Sequence, residues 1–284
     1  MKLNELYRVL SLSKQSFHQK LNRQLQLLDE MEHLLSIVQQ IRADHPRMSS
    51  RQMYRLINPT YMGRDRFELF CFENGFKVSV KRSYHRTTNS LGVTRFENLL
   101  DKMELRTINQ VWVSDITYYR INDQFYYLTF MLDLYSRFIV GYSVSVDLLT
   151  SSTTVPALTM ALRVRKISFG LIIHSDGGGQ YYCKEWLQLT AKHQIRSSMC
   201  KSPYENPNAE RINGIIKNDY LLGYGPSNYS ELVSMTTKAV SKYNYEKPHG
   251  SLKNVSPFQF EQQIQRANMD DLKTSNPHSL RHNN

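Results

Sequence analysis

The sequence has few cysteines and no long apolar run. Its three cysteines, Cys71, Cys183 and Cys200, are odd in number and lack CxxC spacing, which excludes a disulfide framework and a zinc knuckle and indicates free thiols in a reducing compartment. No apolar run approaches the roughly 18 residues of a membrane span. The polar N-terminus MKLNELYRVLSLSKQSFHQK also lacks the apolar core of a signal peptide. These absences predict a cytosolic protein without membrane attachment.

Positive charge is abundant. The 284 residues include 36 Lys plus Arg against 25 Asp plus Glu, a net charge of +11. The first 108 residues alone hold 18 basic and 11 acidic residues, so the excess is concentrated in the first third. Such an excess indicates a polyanionic partner, and in a cytosolic protein nucleic acid is favoured. The length and a hydrophobic content of 40% predict a main domain with a sizeable core and a smaller module.

Two segments of this basic third predict helix-turn-helix structures. In LYRVLSLSKQSFHQKLNRQ, a short helix and a turn precede Ser13, which is placed to cap a second helix. In SSRQMYRLINPTYMGRDRFELFCFENGFKV, Asn58-Pro59 ends one helix and Gly75 ends another. Between the two segments, residues 22–41 predict a longer amphipathic helix.

Arginines support DNA binding by this region. They are Arg42, Arg47, Arg51, Arg55, Arg64 and Arg66, and Arg64 and Arg66 are assigned to DNA contacts. The alternative is a pair of ordinary helical hairpins without a DNA-binding role. We therefore expect a helical DNA-binding region over residues 1–81 and a linker over 82–109, where apolar periodicity weakens.

From residue 110 the periodicity changes to that of strands. QVWVSDITYYRIND, FYYLTFMLDLY and SRFIVGYSVSV predict a three-stranded meander with a turn at Asn122-Asp123. The helix TSSTTVPALTMALRVRKI, the strand LIIH, the helix CKEWLQLTAKH and the strand IRSSM follow. The order β-β-β-α-β-α-β-α is that of the ribonuclease H fold, an α/β mixed sheet flanked by helices. We assign this core to residues 110–225, C-terminal helices packing on it to 226–266 and a polar tail to 267–284.

Three carboxylates fall at informative places in this order. Asp115 lies in the first, central strand, Asp176 ends the neighbouring fourth strand before three glycines, and Glu210 lies in the first turn of the following helix. Acids from three elements can converge at one edge of the sheet. Mg²⁺ prefers oxygen ligands, and phosphodiester cleavage benefits from two such ions.

Each acid also has a simpler interpretation. Asp115 can be a strand-edge residue bonded to Thr117, Asp176 can start a turn with Gly177, and Glu210 can be a favourable acid at a helix N-terminus. In this element order the shared catalytic interpretation is favoured over three separate structural ones.

Rival acids and other chemistries are less favoured. Asp133 is the rival on the sheet, although its sequence context predicts a turn, and Glu205 is the rival for the third ligand. GGG lacks the Lys-Ser/Thr of a phosphate-binding loop. His174 and Ser175 are adjacent in a strand, so they point to opposite faces and do not predict a catalytic pair.

Four motifs carry a family resemblance: WVSDITY, HSDGGGQY, ENPNAER leading into INGIIKNDYL, and YNYEKPHGSLKNVSPFQF. They resemble the catalytic protein (OrfB) of bacterial insertion-sequence transposases of the IS-three family, whose cores are similar to retroviral integrase. GRDRFELFCFENGFKV also looks like that family's second helix-turn-helix, so the resemblance covers about residues 5–262. It implies a Mg²⁺-dependent polynucleotidyl transferase, with Mn²⁺ as substitute, whose catalytic and metal-binding DDE triad is Asp115, Asp176 and Glu210.

The resemblance implies further site residues. Gln180, Tyr181 and Asn206 would shape the site and contact DNA, and Lys217, about two turns after Glu210, would hold a DNA phosphate. Arg211 is also assigned to DNA. The C-terminal signature comprises Tyr243, Asn244, Pro248 and His249, which are expected to brace the last helices, with a DNA contact for His249 and packing alone as the alternative.

The sequence departs from the family in two ways. Residues 177–209 place 33 residues between Asp176 and Glu210, about two fewer than is usual in the family, and Glu205 and Pro207 stand where Asp and Ala are common. The favoured hypothesis is a DNA transposase acting on double-stranded element ends and target as a homo-oligomer, alone or with an upstream helix-turn-helix protein or frameshift fusion. The alternatives are a catalytically impaired DNA-binding regulator and a nuclease of the same fold.

Overall fold

The computed structural model describes Tyr7 and residues 13–78, 96–101, 103–167, 169–200 and 205–274, with side chains up to residue 267. Most of the predicted linker and the end of the predicted polar tail lie outside these ranges. The chain divides into two compact units, Met1–Pro46 and Arg47–Asn284.

The main helix of the first unit is α1, Lys14–Asp44. The predicted cap is confirmed, because the Ser13 side chain accepts a hydrogen bond from the Ser16 amide at 3.1 Å. The prediction of two successive helices here was wrong. The second helix of the first helix-turn-helix and the helix over 22–41 are continuous, since no glycine or proline interrupts residues 14–44. Apart from Tyr7, the preceding predicted helix lies outside the described residues.

Two short helices open the second unit, α2 at Ser50–Ile57 and α3 at Arg64–Glu73. The predicted ends of both are confirmed. Asn58 adopts the left-handed conformation with φ 47° before Pro59, and Gly75 follows α3 with φ 76°.

A five-stranded mixed sheet forms the centre of this unit. Its strands are β1 (Val111–Ile121), β2 (Gln124–Asp133), β3 (Ile139–Ser145), β4 (Ile172–Ser175) and β5 (Arg196–Met199). Their order is β3-β2-β1-β4-β5, with β1–β2 and β2–β3 antiparallel and β1–β4 and β4–β5 parallel. The predicted ribonuclease H-like arrangement with a central β1 is therefore confirmed.

Local sequence explains these strands. Asn122 has φ 53° in the two-residue turn that joins β1 to β2, where Ile121 pairs with Gln124. All four residues of β4 are buried, as expected of a short parallel strand covered on both faces.

Helices cover both faces of the sheet. They are α4 (Thr154–Val164), α5 (Lys184–Lys192), α6 (Pro207–Gly214), α7 (Tyr229–Tyr245) and α8 (Pro257–Thr274). A π-helical segment, Ile215–Leu221, continues α6 and ends in one α-helical turn, Leu222–Tyr224. Val111 and Val113 pack with residues of α6 and α7, while Trp112 packs with residues of α4 and α5. In the described residues, every helix is too short or too polar to cross a bilayer.

The edge strand β3 is tied to α7 by one side chain. Asn244 is 3% exposed; its Oδ1 accepts from the Ile139 amide at 2.8 Å and its Nδ2 donates to the Ile139 carbonyl at 3.0 Å. The first residue of β3 thus finds both of its outer backbone hydrogen bonds within the same chain.

Candidate active site

The pairing of β1 with β4 places two acids side by side. Val113 pairs with His174, and Asp115 and Asp176 each follow two residues later. Because the two strands are parallel, both carboxylates lie at the same level of the sheet, where β4 ends. The predicted juxtaposition of these acids therefore follows from the register.

Asp115 has two hydrogen-bond donors and two acidic neighbours. Its Oδ1 accepts from the Ile116 amide at 2.9 Å, and its Oδ2 accepts from Asn213 Nδ2 at 2.8 Å. Burial, followed by the charge of Asp176, raises the pKa of Asp115 to about 7, and Glu210 adds to this effect against the opposing hydrogen bonds.

Asp176 anchors the glycine loop. Its Oδ1 accepts from the Gly178 amide at 3.1 Å, and burial raises its pKa against the effect of that bond. A Cβ at residue 178 would lie 3.0 Å from Asp176 Oδ1 and 3.2 Å from Gln180 Oε1, so a side chain there would press against both. Asp176 therefore both forms the turn and lies beside Asp115, so the two interpretations are compatible.

Glu210 is exposed in the first turn of α6, and its charge contributes to the raised pKa of Asp115. The rival Glu205 faces other groups. Asn98 Nδ2 donates to Glu205 Oε2 at 2.9 Å. The charge of Glu205 raises the pKa of Cys200, and it opposes the effect of burial that lowers the pKa of His174. Glu210 is the better third member of the site.

The rival Asp133 is hydrogen-bonded to three backbone amides, two of them in the turn after β2. Its Oδ2 accepts from the Asn109 amide at 2.6 Å, and its Oδ1 accepts from the amides of Tyr135 and Ser136 at 3.0 and 2.9 Å. It pairs in register with Trp112, three positions before Asp115 on β1. These three donors explain why the sequence places an acid there.

One face of α6 and its continuation lies against β1. Glu210, Asn213 and Lys217 are separated by three and four residues, a spacing that keeps them near one helix face. Sequence reasoning missed Asn213, although this spacing from Glu210 was a signal for it. Lys217 Nζ donates to Thr117 Oγ1 at 3.1 Å and lies 4.7 Å from the centre of the Tyr118 ring. Burial lowers the pKa of Lys217.

Two predicted DNA contacts need correction. Tyr181 is 3% exposed and Asn206 is 4% exposed, so neither presents a surface to DNA. The Tyr181 hydroxyl is 2.9 Å from Ser114 Oγ, and Asn206 Nδ2 donates to the Ser114 carbonyl at 3.1 Å. Both side chains support the segment of β1 that precedes Asp115.

Gln180 lies closer to solvent. Its Nε2 donates to the Leu148 carbonyl at 3.1 Å, in the loop after β3. This contact links the glycine loop to a neighbouring surface loop.

Arg211 and His249 belong to a different cluster. Burial, followed by the charges of Lys247, Arg211 and Arg137, lowers the pKa of His249 to about 3. The His249 ring also packs edge-on against Tyr243 at 4.7 Å. His249 is therefore neutral and packed, whereas Arg211 is exposed at the surface.

Arg64 and Arg66 are exposed in the first turn of α3, and Arg64 pairs with Asp65 at 2.8 Å. His174 Nδ1 lies 2.9 Å from Ser198 Oγ, a contact distinct from the adjacent Ser175. The sequence argument against a His174–Ser175 pair agrees with this geometry.

The three acids fit a hard cation by their chemistry. Within the described part of the chain, no three His, Cys, Asp or Glu side chains are drawn together closely enough to hold a metal ion. The donors at this point are nevertheless carboxylate oxygens, which Mg²⁺ prefers. After burial, the charges of Asp176 and Glu210 also raise the pKa of Asp115, and repulsion between acids is of the kind that a bound cation relieves.

Sequence comparisons identify relatives of the chain. Two family models, both described as an integrase core domain, match residues 106–204 and 192–257 of this chain. The chain is 33% identical over 208 residues to an insertion element IS600 uncharacterized 31 kDa protein of Shigella sonnei, covering 72% of this chain and 76% of that protein. It is 32% identical over 194 residues to the transposase InsF for insertion sequence IS3fB of Escherichia coli K12, covering 66% and 67%. A structure of the HTLV-2 integrase catalytic core domain in complex with magnesium is similar with TM-score 0.44 and 23% identity, over 54% of this chain and 96% of that one.

Proposed function

This chain belongs to the IS3-type insertion-sequence transposases with an integrase core, and we propose that it nicks the ends of an insertion sequence and transfers the freed strand to target DNA. The observation that carries the proposal is the β1–β4 register, which sets Asp115 beside Asp176 at the end of β4, with Glu210 of α6 near enough for its charge to act on Asp115. Burial, followed by the charges of Asp176 and Glu210, raises the pKa of Asp115 to about 7. Perturbed acids of this kind are common at catalytic sites.

We propose Asp115, Asp176 and Glu210 as the catalytic and metal-holding residues, for two Mg²⁺ ions with Mn²⁺ as substitute. When bound, such ions activate the attacking oxygen and stabilise the leaving oxygen of a phosphodiester. Other residues of this chain orient the two aspartate carboxylates. The Asn213 amide holds one oxygen of Asp115, and the Gly178 amide holds one oxygen of Asp176.

The proposed DNA contacts are made by cations. Lys217 lies beside Asp115, where a phosphate must approach, while Arg64, Arg66 and Arg211 are exposed. The net charge of +11 supports binding of duplex element ends and target with a steep salt dependence. We propose that a homo-oligomer holds these DNA segments, alone or with the upstream helix-turn-helix protein or frameshift fusion.

The test is a nicking and strand-transfer assay on DNA carrying the flanking element ends, with Mg²⁺ or Mn²⁺. Asp176→Asn is compared with the matched control Asp123→Asn, because the Asp123 side chain is 97% exposed in the turn between β1 and β2. Metal-dependent nicked and joined products should disappear in Asp176→Asn and persist in the control.

Other outcomes separate the alternatives. Nicks without joined products would identify a nuclease of the same fold. Tight, salt-sensitive binding without cleavage, even with the upstream protein added, would identify a regulator and would locate the defect in the short segment between Asp176 and Glu210.

A further inference from the structure

The loop after β3 exposes three apolar side chains within four residues. Val146 is 52% exposed, Leu148 44% and Leu149 63%. Isolated exposed leucines are ordinary on protein surfaces, but several exposed apolar side chains in one short loop near a candidate active site are a typical feature of an interaction surface. We call these three side chains the apolar rim.

The loop that carries the apolar rim is well ordered by its own hydrogen bonds. The Asp147 amide donates to Ser145 Oγ at 3.1 Å, and the Leu149 amide donates to Asp147 Oδ1 at 3.0 Å. The Leu149 carbonyl accepts from Thr153 Oγ1 at 2.7 Å and from the Thr153 amide at 3.0 Å. The leucines are thus held outward by a fixed backbone, and a loose loop does not account for their exposure.

The loop that carries the apolar rim is connected to the loop of Asp176 through Gln180. Gln180 Nε2 donates to the Leu148 carbonyl at 3.1 Å, and the Gln180 carbonyl accepts from Thr154 Oγ1 at 3.2 Å. The Gln180 side chain and Asp176 Oδ1 both approach the same point over Gly178, at 3.2 and 3.0 Å from where a Cβ would stand. One glutamine therefore links the loop of the apolar rim to the acid-bearing loop.

We propose that the apolar rim is a wedge for target DNA, pressed against a base step next to the phosphodiester under attack. This proposal rests on the proposed function, because target DNA must approach the acids if they catalyse strand transfer. Apolar side chains inserted at a base step partly unstack it and kink the duplex. Such contacts are sensitive to the deformability of a step more than to base identity, which suits a target that varies in sequence.

The experiment measures joined and nicked product in one reaction, so that their ratio isolates target joining. The variants are Leu149→Ser and Leu148→Ser/Leu149→Ser, with Leu149→Met as the conservative change. Leu222→Ser is the matched control, because Leu222 is 59% exposed in the last turn after the π-helical segment. Each protein is given a fully paired target and a target with one mismatched, already weakened step.

On the paired target, the ratio should fall about tenfold in the serine variants, since the unstacking of a base step is then unsupported. The mismatched target should restore the ratio, and Leu149→Met and Leu222→Ser should keep it. A purely structural loop defect would not be relieved by a mismatch in the DNA. Thermal melting of each variant verifies that its fold is retained.

Two results would overturn the proposal. An unchanged ratio in the double variant would remove any role of the apolar rim in joining. An equal loss on paired and mismatched targets would indicate a protein–protein contact instead. If the unaltered protein yields no metal-dependent nick, the proposed function itself fails and this inference fails with it, whereas normal nicking with an unchanged ratio removes the inference alone.

Discussion

Asp115 and Asp133 lie on neighbouring strands, and burial raises the pKa of both. Their surroundings differ. Asp133 accepts two backbone N–H groups of the turn after β2 and a third from Asn109, which precedes β1. Asp115 accepts one backbone N–H and one asparagine amide, and two other acids act on it. The carboxylate that stabilises the fold is surrounded by donors, and the one proposed for chemistry is left with an unrelieved repulsion.

The largest expected effect comes from Asp115→Asn. Loss of an outer-shell partner of a metal ligand costs roughly 10- to 100-fold, so loss of the ligand itself should lower single-turnover nicking by more than about a hundredfold. The neutral amide also removes repulsion with Asp176 and Glu210, so the melting temperature without metal at pH 8 should stay equal or rise.

The counterpart Asp133→Asn should show the opposite pattern. An amide nitrogen facing the Asn109 N–H leaves that donor unpaired, which costs about 1–3 kcal/mol in the free energy of unfolding. Denaturant unfolding and nicking are measured on both variants. The comparison breaks down if Asp133→Asn unfolds like the unaltered protein or if Asp115→Asn still nicks.

Asn213→Ala tests what holds Asp115 in place. Removal of the amide donor should lower nicking by about 10- to 100-fold. Because that hydrogen bond lowers the pKa of Asp115, its loss should move the acidic limb of the pH–rate profile to higher pH. Asn218→Ala, at an exposed position of the π-helical segment that continues α6, is the control. Lost activity with an unmoved pH profile would show that Asn213 acts only through folding.

The response to metal should depend on pH. The pKa of Asp115 rises from 3.8 to about 7 in the folded chain, so the folded state holds this proton more tightly than the unfolded state. Stability without metal should therefore decrease as pH rises from about 4 to about 7 and then level off. Mg²⁺ competes with this proton, so the increase in melting temperature on adding Mg²⁺ should be small at pH 5.5 and larger at pH 8.

Chelation with EDTA should reverse that increase. Asp115→Asn should flatten the pH dependence of the Mg²⁺ effect, although the raised pKa of Asp176 leaves part of it. An equal Mg²⁺ effect at both pH values in the unaltered protein would contradict a metal site at Asp115.

Lys217→Met should give the smallest effect. If Lys217 contacts a phosphate, the slope of log affinity against log salt should fall by about one, and nicking at saturating protein should fall only a few-fold. Lys192→Met, at the exposed end of α5, is the control and should keep the slope. Equal slopes for the unaltered protein and Lys217→Met would confine Lys217 to its bond with Thr117.

The fold was largely predictable because its signals are local. The Asn122 turn, the apolar LIIH strand and the changes of period identify the elements, and their order leaves few arrangements of the sheet. The neighbouring positions of Asp115 and Asp176 followed from that order alone.

The remaining features depend on how elements are rotated and packed. The bond from Asn213 to Asp115 requires the observed rotation of α6 against β1. The burial of Tyr181 and Asn206 depends on which side of their loops faces Ser114, and a motif position does not specify a side. The continuity of α1 reflects a lack of breakers, which a weak apolar pattern had obscured.

The double hydrogen bond between Asn244 and Ile139 has a consequence for crowding. A free outer edge on β3 would accept a strand from any neighbouring molecule, which is a common route to aggregation. If several copies gather on one DNA molecule, as we propose, they meet at high local concentration, where this hazard is greatest. With its first outer-edge site already taken, β3 is harder for a neighbour to extend, and the copies can crowd together without their sheets fusing.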